Sequence, residues 1–195
     1  MNKPKDSLPP SYFETMYRRD PDPWDFETSD YEALKYQTTI DVLPQASYSN
    51  VLEIGGSIGV LTALLSQKCK SLLSIDVSQT AQERAIARCR DLDWVRFKIA
   101  QVPQDFPDES FDLILVSEVG YYLSWSDLKQ TQQLILDRLE VGGHLLLVHW
   151  TLYAKDYPLT GDEVHDYFLE LTDKNLKHLK GLRREQYRLD LFERI

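Results

Sequence analysis

What most restricts the folds open to this chain is a regular alternation that begins near residue 50. Val51-Leu52-Glu53-Ile54 is a short apolar run, followed by a helical pattern at 58–68. Leu72-Leu73-Ser74-Ile75 precedes a second helix at about 79–91, and Val95-Arg96-Phe97-Lys98-Ile99 alternates apolar and polar. Phe111–Val116 is continuously apolar and precedes a helix at about 125–139, and Leu145-Leu146-Leu147-Val148 is the fifth run. Short apolar runs separated by helices of this length are βαβ units, which build a parallel sheet with helices on both faces. The end departs from this rhythm. A helix at about 161–172 precedes Leu176–Arg184 and Tyr187–Ile195, and the latter alternates like a half-exposed strand. The expectation is an α/β core closed by a C-terminal antiparallel hairpin. The basic residues gathered between Lys174 and Arg188 are read as protection of that sheet edge, with a site for an anionic partner as the alternative.

A chain of 195 residues suits one domain, so 1–195 is expected to form a single unit. Residues 1–10 hold three prolines and read as a loose arm. Two short helices over 11–45 form a cap, and 46–195 form the core. Ser11-Tyr12-Phe13-Glu14 and Ser29-Asp30-Tyr31-Glu32 both have capping-box spacing. Between them Asp20-Pro21-Asp22-Pro23-Trp24 cannot be helical. With 43% hydrophobic and 27% charged residues the chain is globular. A net charge of -9 opposes a nucleic-acid partner, whose phosphates need Lys and Arg. The start has no apolar stretch of a signal peptide, and no apolar run approaches the roughly 20 residues that span a bilayer. Cys69 and Cys89 form no C-x-x-C pair, so neither a metal site nor a redox motif is expected, and a reducing cytoplasm is the natural compartment.

In an open α/β sheet the ligand crevice lies at the carboxyl ends of the strands. Those ends here are Glu53, Asp76, Gln101, Ser117-Glu118 and His149-Trp150. The first runs into Gly55-Gly56-Ser57-Ile58-Gly59. That turn is not the G-x-G-x-x-G of a dinucleotide loop. It matches the G-x-S-x-G of a nucleophile elbow, with Ser57 as nucleophile, but about 50 residues precede it where a hydrolase core needs several strands. As E-x-G-x-S-x-G followed by an acid closing the next strand, Asp76, it looks like the cofactor loop of class I methyltransferases. Glycines let the backbone approach the cofactor closely. A strand-end carboxylate accepts both ribose hydroxyl protons.

Further segments carry a narrower resemblance: Asp20-Pro21-Asp22-Pro23-Trp24, Tyr31-Glu32 with Lys35-Tyr36, Glu53–Leu61, Ser117-Glu118-Val119 with Tyr121-Tyr122-Leu123, Gly142–Trp150, and Tyr157-Pro158-Leu159-Thr160-Gly161-Asp162-Glu163-Val164-His165. Together, from about residue 11 onward, they resemble the NodS-type nodulation N-methyltransferases. The resemblance implies the class I Rossmann-like, doubly wound seven-stranded sheet with N-terminal capping helices. It implies S-adenosylmethionine as cofactor, S-adenosylhomocysteine as product, and as acceptor a small-molecule or oligosaccharide amine such as a deacetylated chitooligosaccharide. It also implies that Trp24 touches the cofactor and that Lys35 pairs with its carboxylate, with plain packing of a large aromatic as the other reading of Trp24. Glu53, Gly55, Gly56, Ser57, Gly59, Asp76, Val77, Gln101, Val102 and Ser117 complete the expected cofactor set. Gln101 stands where this class often has an Asp that reads the adenine amino group, and its carbonyl can still accept that hydrogen bond. Gly56 replaces another small residue.

Methyl transfer to an amine needs alignment and an unprotonated nitrogen. Glu118 and His149 are the candidates to take the proton, and Tyr121 and Tyr122 to shape the acceptor pocket. Glu118 can also be read as capping the helix that follows, and His149 as a hydrogen-bonded core histidine. Two other functions stay open at this level: a module that binds the cofactor or its product without catalysis, and a serine hydrolase using Ser57.

Overall fold

The computed structural model describes residues 3–195. Its elements in chain order are α1 (Pro10–Arg19), α2 (Asp30–Asp41), β1 (Val51–Ile54), α3 (Val60–Leu65), β2 (Leu72–Asp76), α4 (Gln79–Arg88), β3 (Val95–Ile99), β4 (Phe111–Ser117), α5 (Trp125–Arg138), β5 (Leu139–Trp150), α6 (Gly161–Leu169), β6 (Leu176–Arg183) and β7 (Tyr187–Arg194). Short 3-10 turns occupy Ser66–Lys68 and Gly120–Tyr122. The strands take the order β3-β2-β1-β4-β5-β7-β6 in a seven-stranded sheet. The chain divides into two compact units, Pro9–Gln101, and Val102–Ile195 with the first eight residues.

In Pro9–Gln101, β1, β2 and β3 are parallel neighbours, Val51 opposite Leu72 and Leu72 opposite Val95. All four residues of β1 are buried, as a strand covered on both faces must be. β3 is far more exposed and stops at Ile99, short of the expected Gln101. Its alternating Arg96 and Lys98 fit an edge strand.

In the second unit, β4 pairs with β5 in parallel, and β7 runs antiparallel to both β5 and β6. The predicted hairpin is therefore present. β5 is longer than its apolar run of 145–148: Leu139 stands opposite Phe111 of β4, and β7 pairs with it from His144 through Trp150. Backbone hydrogen bonds extend a strand past the apolar stretch that signals it in sequence. The proline-rich start has no helix or strand over 3–8, yet it is tied down. Lys3 pairs with Glu163 at 2.8 Å, Ser124 N–H donates to Ser7 Oγ at 2.7 Å, Leu8 N–H donates to Tyr122 O at 2.9 Å, and the Ser7 hydroxyl reaches Asp127.

Helix starts correct two expectations. α1 begins one residue before Ser11, with Pro10 in its first turn and no side-chain cap. Proline's preset φ and missing N–H suit that position. Glu14, freed from capping, accepts from Ser78 Oγ (2.8 Å), Thr80 Oγ1 (2.7 Å) and Thr80 N (3.2 Å), pinning α1 to the start of α4. Ser29 does cap α2, but the Glu32 carboxylate pairs with Lys35. A reciprocal capping box forms instead at Thr160 and Glu163 of α6.

Candidate functional site

The Pro9–Gln101 unit contains most of the residues expected to hold the cofactor, from Trp24 to Gln101. The turn after β1 holds Gly55 at φ 92, Ser57 at φ 50 and Gly59 at φ 81. Glycine takes such values without strain, whereas Ser57 pays for its position. Both Gly55 N–H and Gly56 N–H donate to Ile75 O, which folds the turn onto β2. Gly59 has a second reason to be glycine: a Cβ there would lie 2.8 Å from Ala85 Cα of α4.

Asp76 closes β2 and spans this turn. Its Oδ2 accepts from Ser57 N–H at 2.9 Å and its Oδ1 from Ser78 N–H at 2.8 Å. With backbone N–H donors from Ser57, Ser78 and Val77, the carboxylate still keeps acceptor capacity for a hydroxyl. Burial pushes the Asp76 carboxyl up, against those backbone hydrogen bonds. Val77 follows it, and Gln101 lies just past β3.

Beneath the turn, Glu53 is fully buried. Its Oε2 accepts from Thr62 Oγ1 at 2.6 Å and Ser74 Oγ at 2.7 Å. Its Oε1 is buried with no hydrogen-bond partner among the described residues. Burial raises this carboxyl to about 7, although the two hydroxyls oppose it. Gly56 is now explained: a Cβ there would stand 1.9 Å from Ser74 Oγ and 3.3 Å from Glu53 Oε2. An orphaned buried acceptor beside a strained turn and a strand-end carboxylate fits the aminoacid and ribose parts of an adenosyl sulfonium cofactor.

Tyr17 is a residue the sequence reading missed. Its hydroxyl meets Ser57 Oγ at 2.5 Å, and it is buried with Ile58 and Ala81, against which Trp24 and Phe26 pack. Trp24 meets Tyr17 edge-on at 5.6 Å and stacks on Phe26 at 5.5 Å. It therefore touches the cluster that carries Ile58 of the turn. Lys35 is 2% exposed, and its ammonium is held by Glu32 at 2.8 Å, flanked by the Tyr31 and Tyr36 rings. The group beside Ser57 Oγ is a tyrosine hydroxyl that burial keeps protonated, not the imidazole base that a serine nucleophile ordinarily uses.

The second unit holds Val102, Ser117, Glu118, Tyr122 and His149. Val102 is buried at its start, and Ser117 closes β4. Glu118 adopts φ 56, and its Oε2 accepts from Tyr121 Oη at 2.8 Å and Trp150 N–H at 2.7 Å. It tethers the strand end and caps no helix; α5 is capped by Ser124. Tyr121 stacks on Tyr157 at 5.4 Å, and Tyr122 meets Tyr157 edge-on at 4.8 Å. Burial holds both Tyr121 and Tyr122 protonated.

His149 follows the apolar run of β5. It is fully buried; its Nε2 accepts from Gly120 N–H at 3.0 Å and its Nδ1 lies 3.0 Å from His165 Nε2. Both ring nitrogens therefore have partners inside the fold. His165 continues to Asp190 Oδ2 at 2.7 Å. Neither His165 nor Asp190 was singled out as a site residue, although His165 ends the Leu159–His165 segment that marked the resemblance. Asp190 left no signal, because an acid in an alternating strand reads as a solvated face.

Comparison with known proteins bears on this geometry. Residues 14–146 match the family model described as nodulation protein S (NodS). The nodulation protein S of Rhizobium tropici is 32% identical over 127 residues, 64% of this chain and 53% of that protein. The phosphoethanolamine N-methyltransferase 3 of Arabidopsis thaliana is 25% identical over 124 residues, 62% of this chain and 25% of that one. Among solved structures, the N-methyltransferase NodS of Bradyrhizobium japonicum WM9 in complex with S-adenosylhomocysteine superposes with a TM-score of 0.82 at 25% identity, covering 94% of this chain and 97% of the other. The chain spans about half the length of the curated nodulation relatives it matches.

Proposed function

This chain belongs to the nodulation protein S family, and from that premise we propose that it is an S-adenosylmethionine-dependent N-methyltransferase acting on the amine of a small molecule or amino sugar, such as a deacetylated chitooligosaccharide. The observation that carries the reading is the cradle of Gly55–Gly59, Asp76 and the unpartnered Glu53 Oε1. The superposition on an S-adenosylhomocysteine complex supports it, as does the N-methyltransferase named among the relatives.

When bound, the cofactor supplies a methyl group on a sulfonium sulfur that leaves as a neutral thioether, so no acid is needed. The work left to the chain is placement, and alignment of this kind supplies roughly 7–11 kcal/mol of a barrier. Asp76 holds the ribose hydroxyls, Glu53 Oε1 takes the amino group, and the turn backbone gives the methionine part room. Gln101 accepts from the adenine amino group, with Trp24 as cover, and by the resemblance Val77, Val102 and Ser117 belong to the same cofactor set. Lys35 serves the cofactor carboxylate by exchanging Glu32 for it. Glu118 takes the amine proton and orients the lone pair, held by Tyr121 and Trp150 N–H. Tyr122 remains a neutral phenol that shapes the acceptor pocket.

Calorimetric titration with S-adenosylmethionine and S-adenosylhomocysteine tests this, beside Asp76→Ala. Binding of both, lost in the variant, is expected. Labelled methyl transfer to a deacetylated chitooligosaccharide, lost in Glu118→Gln with cofactor affinity intact, completes the case. Binding with no transfer to any amine would favour a cofactor-binding module, and no binding would overturn the reading.

A further inference from the structure

The Val102–Ile195 unit contains a buried chain of hydrogen bonds whose direction is set at both ends. At one end, Gly120 N–H has a hydrogen to give, so His149 Nε2 at 3.0 Å is an unprotonated acceptor. A neutral imidazole then carries its hydrogen on Nδ1, which faces His165 Nε2 at 3.0 Å. His165 in turn is protonated on Nδ1, 2.7 Å from Asp190 Oδ2. At the other end Asp190, 2% exposed, is a pure acceptor held by Arg188 Nε (2.8 Å) and His178 Nε2 (2.7 Å). Full burial of both rings disfavours a charged imidazole, and burial lowers His165 below the usual histidine range. Reversing the chain would set two hydrogens between Gly120 N and His149 Nε2.

The backbone is built around this contact. A Cβ at Gly120 would lie 2.9 Å from His149 Nε2, and one at Gly161 would lie 2.3 Å from Trp150 O and 3.1 Å from His149 Cβ. Gly161 thus lets α6 start against the end of β5, one helical turn before His165. Beyond Gly120 stands Tyr121, which holds Glu118 together with Trp150 N–H, the residue after His149. Both supports of Glu118 therefore sit next to a link of the chain.

We propose that Asp190 and His165 are positioning residues: acting through His149, they fix its Nδ1–H tautomer, give Gly120 N–H its acceptor, and so place Tyr121 and Glu118 for the amine. The catalytic consequence rests on the methyltransferase reading; the hydrogen-bond direction does not.

The test begins with tautomer-sensitive 15N NMR on histidine-labelled full-length protein. The expected spectrum has His149 and His165 each protonated on Nδ1 only, with His165 losing that single signature in Asp190→Leu, which removes its acceptor. His165→Phe removes the acceptor for His149 Nδ1–H, whereas His165→Gln restores an acceptor oxygen near the Nε2 position. With a deacetylated chitooligosaccharide as probe, His165→Phe should lower kcat/KM roughly 100-fold, as expected for a displaced reacting group. His165→Gln should recover most of that loss, and S-adenosylhomocysteine affinity should be unchanged in both. Wild-type His149 protonated on Nε2, an unchanged His165 signal in Asp190→Leu, or equal kcat/KM in His165→Phe would each overturn the proposal. If wild type transfers no methyl group, the methyltransferase reading falls and the NMR result alone decides the chain.

Discussion

At the residue scale, Glu53 and Gly56 make one unit with Ser74. The Ser74 hydroxyl donates to Glu53 in the space a Cβ at 56 would take, 1.9 Å away. Gly56→Ala must turn Ser74 aside and break that bond, which is expected to cost about 1–3 kcal/mol, the range for overpacking a tight site. In Gly56→Ala/Ser74→Ala the steric part should vanish, so a double-mutant cycle in urea would show coupling between the two positions; additive losses would refute the link. Glu53 also sets a pH dependence. Its carboxyl ordinarily titrates near 4.5 and sits at about 7 in the fold, so the folded state keeps a proton that the unfolded chain releases. Stability of the cofactor-free protein therefore falls as pH rises from 4.5 to 7, and Glu53→Gln should flatten that slope in thermal melts. Glu14 has the opposite sign. Held at about 2 by the Thr80 and Ser78 hydrogen bonds, it contributes stability above 4.5 that is lost as pH falls toward 2. Glu14→Gln should remove that acid-side loss.

At the element scale, α6 shows how one short segment does several jobs. Thr160 caps it and Glu163 closes the box. Gly161 permits contact with β5, Asp162 meets Arg183 and Arg188, and His165 reaches His149. Thr160→Ala should cost about 1 kcal/mol, as for other lost helix caps. Gly161→Ala should cost more, because the obstacle at 2.3 Å is the backbone oxygen of Trp150, which has no rotamer to change. Denaturant midpoints of the two variants check the order. Helix starts were legible in sequence only where a polar residue is free to cap. Ser29 was, while Ser11 lost its place to the proline before it. β5 was read short because its first residues, Leu139-Glu140-Val141-Gly142-Gly143, carry no apolar run.

At the scale of the whole molecule, folding and cofactor binding are linked by mass action. S-adenosylhomocysteine at 100 times its dissociation constant should stabilise the protein by about 2.7 kcal/mol, and Asp76→Ala should show none of that shift in thermal melts. The order of apolar runs and helices in the sequence determined the parallel strands, the closing hairpin and the glycine turn, because period and turn chemistry are local properties that each segment carries with it. The tertiary structure alone decided that Tyr17 covers Ser57, that Lys35 is spent on Glu32, and that His149 is locked between Gly120 and His165. Those outcomes depend on which polar atoms meet once distant segments pack, and a buried donor or acceptor takes the partner within hydrogen-bond reach, wherever that partner lies in the chain.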